Sequence, residues 1–253
     1  MPRALTFAVA FMLGGATMLP AQDHTDSASA ILDHAPIGEA LVYDARFGLI
    51  DVGKGLMQVV GIDTLDGQPM LHVMFRLRGG PFFFRLDDRM DSWIRLGDFS
   101  SRRFVQDFHE GKNDRHTEYD IFPDSGYYRE SGVDSLCPTT AAPLDDAAFF
   151  YFVRTLDLTP GKRYALDRYF KPDRNPVVLE ALARDTIDVP AGRFPCVVVR
   201  PIIKGGGIFK EGADGRMWIT DDARRIVAQI QTKFAFGSIT LRLTGIQHDS
   251  TAR

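Results

Sequence analysis

A two-residue rhythm limits this chain's fold more than any other feature of its sequence. Ile226, Ala228, Ile230, Thr232, Phe234 and Phe236 alternate with Val227, Gln229, Gln231 and Lys233. After Gly237 the apolar set is Ile239, Leu241 and Leu243, with Thr240, Arg242 and Thr244 between them. Successive strand side chains point to opposite faces, so these segments read as strands with one dry face and one wet face. That is the pattern of an antiparallel sheet.

The rhythm recurs along the chain. Leu41, Tyr43, Ala45, Phe47 and Leu49 share one face, as do Leu71, Val73, Phe75 and Leu77. Further strands are expected at 56–62, 82–94, 103–108, 115–121, 163–170, 177–187, 196–203 and 216–220. Turn residues separate them: Asp66-Gly67, Gly79-Gly80-Pro81, Gly111 to Asp114, Pro123 to Gly126 and Pro190-Ala191-Gly192. About a dozen strands joined by short turns would leave costly edges in a flat sheet. The expected fold is therefore mainly β: a large antiparallel rolled sheet or an open β-barrel with one packed α-helix. That helix falls at 145–156, where Ala148, Phe149, Phe152, Val153 and Leu156 recur at helical spacing. Asp145 or Asp146 can cap its start, and Thr159-Pro160-Gly161 ends it. Such an aromatic stripe packs a helix onto a sheet more readily than it lines a cofactor site.

Residues 1–21 have the layout of a secretory signal peptide: Arg3, an apolar run from Leu5 to Leu13, then Pro20-Ala21. A polar leader is expected over 22–36 and a single domain over 37–249. No Cys follows the apolar run, so a lipoprotein anchor is not expected, and no later segment is apolar enough to cross a bilayer. The chain is expected to be exported, to the periplasm or the extracellular space. Its net charge of −3 over 253 residues gives no electrostatic footprint for nucleic acid.

Signatures of catalysis are missing. There is no Gly-x-Ser-x-Gly elbow, zinc-protease helix or phosphate loop, and Gly205-Gly206-Gly207 reads as a flexible loop. No catalytic residue and no cofactor are expected. Cys137 and Cys196 either form a disulfide after export or stay as free thiols, Cys196 being in an apolar strand. If the hairpin at 111–114 centres on Lys112-Asn113, His109 opposes His116 and Glu110 opposes Arg115. Two imidazoles so placed are a weak metal candidate, since zinc takes three or four ligands. Asp87, Asp88, Asp221 and Asp222 are the carboxylates that acid–base chemistry would draw on. The plainer expectation for Trp218, Asp221, Asp222, Arg224 and Arg225 is a turn tied by Asp–Arg pairs. Arg76, Arg78 and Arg85 form a basic group that could meet an anionic lipid headgroup or sugar, although a solvated face is the simpler reading.

Four segments carry a family resemblance: SWIRLGDFSSRRF, DAAFFYFVRTLDLTPGKRY, VPAGRFPCVVVRP and RMWITDDARRIVAQIQTKFAFGSITLRL. In order and spacing they resemble the exported bacterial domain-of-unknown-function family 3108, over roughly Glu39 to Thr244. The resemblance implies an all-β envelope domain with one helix. It implies no activity and carries no catalytic residue onto any position.

Three functions are compatible with this pattern. The first is a non-catalytic envelope binding or carrier module for a lipid or other apolar ligand, lined by Phe82 to Phe84, Phe149, Phe150 and Phe152. The second is a hydrolase of an envelope polymer using paired carboxylates. The third is a structural or assembly subunit.

Overall fold

A computed structural model describes residues 32–80, 85–204, 214–234 and 237–248. Fourteen strands form one sheet, and every neighbouring pair is antiparallel. The chain enters at the middle of the sheet with β1 (Glu39–Phe47). It then hairpins outward through β2 (Ile50–Leu65), β3 (Gln68–Gly79), β4 (Leu86–Arg95), β5 (Ser100–Glu110), β6 (Asn113–Phe122), β7 (Tyr127–Glu130) and β8 (Leu136–Pro138). A crossover carrying α1 (Asp146–Phe152) leads to the opposite edge, β9 (Arg163–Leu166). The chain returns through β10 (Val177–Val189), β11 (Gly192–Ile202), β12 (Asp214–Thr220) and β13 (Val227–Phe234) to β14 (Gly237–His248), which pairs with β1.

The pairing register shows why the alternation folds this way. Ala45, Leu241, Ile230, Met217, Val199 and Ala181 are successive partners across six strands, and all are buried. The neighbouring row on the other face runs Lys54, Asp44, Arg242 and Gln229. A sheet with one apolar and one charged face buries the apolar one by rolling.

The roll is not closed by a strand ladder. Its two edges continue into segments that meet at a single parallel bridge, Leu144 to Tyr169. Leu144 N–H donates to the Arg168 carbonyl and Phe170 N–H to the Leu144 carbonyl, at 2.5 and 3.0 Å. The Phe170 ring then lies 5.1 Å from Tyr119, 5.2 Å from Tyr128 and 6.1 Å from Phe104, on the inner face of β5 to β7. Arg168 locks the seam by donating to the carbonyls of Ala142, Asp98 and Phe99 while stacking over Phe152 at 4.4 Å.

The helix departs from expectation. One apolar face was expected, yet every residue from Ala147 to Arg154 is buried, through α1 and the 3-10 turn Val153–Thr155 that extends it. A helix apolar all round is enclosed by its protein, and α1 lies inside the roll. Phe150 stacks on Phe75 at 5.4 Å and Phe152 packs on Phe99 at 5.8 Å. Its first turn is capped by Asp145, whose carboxylate accepts from Ala147 and Ala148 N–H at 2.9 and 2.8 Å and from the Ser92 hydroxyl at 2.5 Å. Asp145 is fully buried, and burial raises its pKa to about 7 against the pull of those hydrogen bonds. The strand expected at 82–94 is observed from Leu86; Phe82 to Phe84 and Gly205 to Gly207 lie outside the described residues.

Candidate functional site

The end of the roll where β1 begins holds a buried polar knot. Arg154, fully withdrawn from solvent, donates to both carboxylate oxygens of Glu39 at 2.6 and 3.0 Å. The same guanidinium reaches the Arg224 carbonyl at 3.0 Å and the His34 carbonyl. Arg225 in turn donates to the carbonyls of Arg154 and Leu156. Beside them the Tyr43 hydroxyl donates to the Val227 carbonyl at 2.8 Å, and burial pushes its pKa far up. One guanidinium thus ties the residues before β1, β1 itself, the end of the helix and the β12–β13 turn.

Next to this knot opens a cleft of about 310 Å³ whose polar walls include His34, Asp157, Thr159, Arg184, Asp221 and Asp222. Its carboxylates are all engaged. Asp221 accepts from Arg184 at 2.7 Å. Asp222 accepts from the Thr220 hydroxyl at 2.7 Å and from the backbone N–H of Arg224 and Arg225 at 3.1 Å each. Burial pushes Asp222 up, but those bonds and the Arg224 charge outweigh it and hold the carboxyl below its usual range. Asp157 is held at about 2 by the Thr159 hydroxyl and N–H and by Lys162. The turn tied by Asp–Arg pairing is the arrangement present. Trp218 does not join it: its indole N–H donates to Asp185 at 2.9 Å.

The other carboxylate pair is split by the pleat of β4. Asp87 faces outward and is gripped by Arg76 through two bonds of 2.8 and 3.0 Å, with Arg78 at 3.3 Å and Arg85 at 3.8 Å. The Arg76 hydrogen bond holds its pKa down. Asp88 takes the other face, where burial and Glu110 raise its pKa to about 6. Neighbours on opposite faces of a sheet cannot attack one bond together.

The histidine expectation needs correction. The hairpin turns at Gly111-Lys112, one residue earlier than read from sequence, so Glu110 opposes Asn113, His109 opposes Asp114 and Asp107 opposes His116. Gly111 takes φ 67°, the positive φ that a first-position glycine supplies in tight hairpins. Each imidazole therefore meets a carboxylate: His109 bonds Asp114 at 2.8 Å and His116 bonds Asp107. The Asp107 carboxylate raises the His116 pKa. Among the described residues no group of three or more His, Cys, Asp or Glu is placed to hold a metal ion.

Cys137 and Cys196 are both free. Cys137 pairs with Tyr128 and shares its face, which packs on Phe170 inside the roll. Cys196 sits with Val198, Trp218 and Ala228 in a small cluster on the outer face, since its neighbours Val197 and Val199 belong to the main core. Burial pushes the Cys196 thiol up to about 12. The two sulfurs thus lie on opposite faces of the sheet. The buried polar centre that sequence reasoning missed is formed by Arg154. Its signal is an arginine ending the apolar run Phe149 to Val153, which demands a buried partner.

Comparison with known proteins gives the same architecture. No curated protein matches the chain. A β-barrel-like protein of the domain of unknown function DUF1849 from Brucella abortus superposes with a TM-score of 0.55 at 8% identity. The match covers 85% of this chain and 99% of that one. At that identity the likeness shows the fold alone. An exported protein with a YmcC-like fold from Bacteroides fragilis matches at 13% identity over 84% of this chain and 97% of its own, with a TM-score of 0.36. A lipoprotein from Parabacteroides distasonis matches at 9% identity over 83% and 95%, with a TM-score of 0.34. The model of the family described as protein of unknown function (DUF3108) matches residues 42–244. The chain belongs to the DUF3108 family.

Proposed function

We propose that this chain is a non-catalytic binding module of the cell envelope that works through its outer surface and ends, not by carrying cargo inside. One observation carries this reading: α1 is enclosed on all sides, with Phe149 to Val153 buried where an acyl chain would otherwise lie. Phe150 and Phe152, two of the phenylalanines expected to line a ligand groove, pack against Phe75 and Phe99 instead. Export is supported by the apolar run behind Arg3 at the N-terminus. A surface role is supported further by the carboxylates a hydrolase would need. Of Asp87, Asp88, Asp221 and Asp222, all but Asp88 are held by arginine or turn N–H groups.

Native mass spectrometry of the chain purified from the envelope fraction tests the reading, with a bare polypeptide mass expected. A stoichiometric lipid adduct would contradict it. Hydrolysis of an envelope polysaccharide abolished by Asp88→Asn would equally do so, because burial and Glu110 raise the Asp88 carboxyl to about 6.

A further inference from the structure

We infer that the end of the roll opposite the Arg154–Glu39 knot docks on an anionic phospholipid bilayer, through Leu49, Ile50 and Ile239 with Arg78 and Arg85 at the same end. The inference rests on the surface-binding reading above and names the surface. The β1–β2 hairpin turns at Gly48-Leu49, and its tip leaves Leu49 88% and Ile50 67% exposed. Phe47 pairs with Ile50 on one side and with Ile239 on the other, and Ile239 is 36% exposed. Ile50 and Ile239 therefore flank Phe47 across β2, β1 and β14, with Leu49 in the turn next to Ile50. Leu49 and Ile50 are the two most exposed large apolar side chains among the described residues.

Cations lie on the outer face at the same end of the roll, behind the inner-face parity that Ile50 and Ile239 share with Ala45 and Leu241. Going inward along β2 from Ile50, Gly53 and Lys54 pair with Gly79 and Arg78, about 10 Å from the tip at the rise of a strand. Arg78 and Arg85 have side chains 63% and 73% exposed. Both approach Asp87, whose carboxylate is already occupied by two bonds from Arg76. Three guanidiniums on one buried carboxylate leave excess positive charge on the outer face at this end of the roll. An apolar tip with exposed cations at the same end is what an interfacial membrane contact requires: aliphatic groups enter the headgroup boundary and guanidiniums meet lipid phosphates. A second copy of the chain fits less well. Arg78 and Arg85 would face their own like charges, and three aliphatic side chains fall short of the buried area of a stable dimer.

Vesicle co-sedimentation tests the inference, using phosphatidylethanolamine vesicles with and without phosphatidylglycerol. The wild-type chain is expected to pellet with the phosphatidylglycerol vesicles, less so as salt is raised. The variant carrying Leu49→Asp and Ile50→Asp is expected to lose about tenfold in bound fraction while its thermal unfolding is unchanged. The variant carrying Arg78→Glu and Arg85→Glu is expected to lose the preference for phosphatidylglycerol. Wild-type chain left in the supernatant, or variants that bind as well as wild type, would overturn the inference. So would a dimer in sedimentation velocity that Leu49→Asp dissolves, which would assign the patch to a second copy. If the chain ignores vesicles but still shows a bare mass, docking fails and the surface-binding reading stands. A co-purifying lipid would remove that reading itself.

Discussion

Arg154 and Glu39, 115 positions apart in the chain, meet through two hydrogen bonds of 2.6 and 3.0 Å with both side chains out of contact with water. Two buried charges are tolerated only as a pair, because removing one leaves the other desolvated and uncompensated. Glu39→Ala is therefore expected to cost about 3–5 kcal/mol in chemical denaturation. Replacing both, Glu39→Gln with Arg154→Met, is expected to cost less than the two single changes summed. Simple additivity would mean the pair is not coupled.

The β2–β3 ladder contains a contact that only glycine permits. A methyl group on Gly53 would land on the Arg78 carbonyl oxygen, and one on Gly79 on the Val52 carbonyl oxygen. Gly53→Ala and Gly79→Ala are each expected to destabilise by about 1–3 kcal/mol, the usual cost of overpacking. Gly97→Ala, with nothing within 4 Å of the added methyl, serves as the control and is expected to stay near zero. Equal thermal shifts in all three variants would contradict the close strand approach.

Asp145 makes stability depend on pH. Its folded pKa of about 7 lies above the unfolded value of 3.8, so between those values the folded chain binds more protons than the unfolded one. Stability contributed by this group is full below pH ~4 and is lost as pH rises toward 7. Asp145→Asn keeps a good cap and removes the titration. Its stability curve is expected to be flatter than that of wild type across that window, with the relative gain largest above pH 7. Parallel curves would show that the carboxyl does not titrate there.

Because Cys137 and Cys196 face opposite sides of the sheet, thiol titration of the unfolded, unreduced chain is expected to give two reactive groups. None would mean that the pair had joined and that the register of β8 or β11 differs from that described.

Much of the fold was legible where a residue's neighbours follow from parity. The apolar positions Tyr43, Ala45, Ile230, Leu241 and Leu243 all face the core, as their alternation required. The hairpins were visible from local turn residues, and the cap was narrowed to Asp145 or Asp146, of which Asp145 is the one present. What escaped were relationships set by distant parts of the chain. The charge at Arg154 breaks an apolar run, and only Glu39, at the start of another strand, explains it. The full enclosure of α1 depends on the two edge segments meeting at Leu144 and Tyr169. The histidine pair failed on a single residue of register, which the positive φ of Gly111 decides. Asp87 and Asp88 are kept apart because adjacency in a strand places side chains on opposite faces.

As part of a permanent core, α1 leaves no chamber for cargo among the described residues. Hydrogen exchange at the amides of Phe149 to Val153 tests it most directly. Exchange only through global unfolding, with the same free energy as the strands of the core, is the expected result. Exchange through a low-energy opening, with the core strands still protected, would make the helix a movable lid and the roll a container.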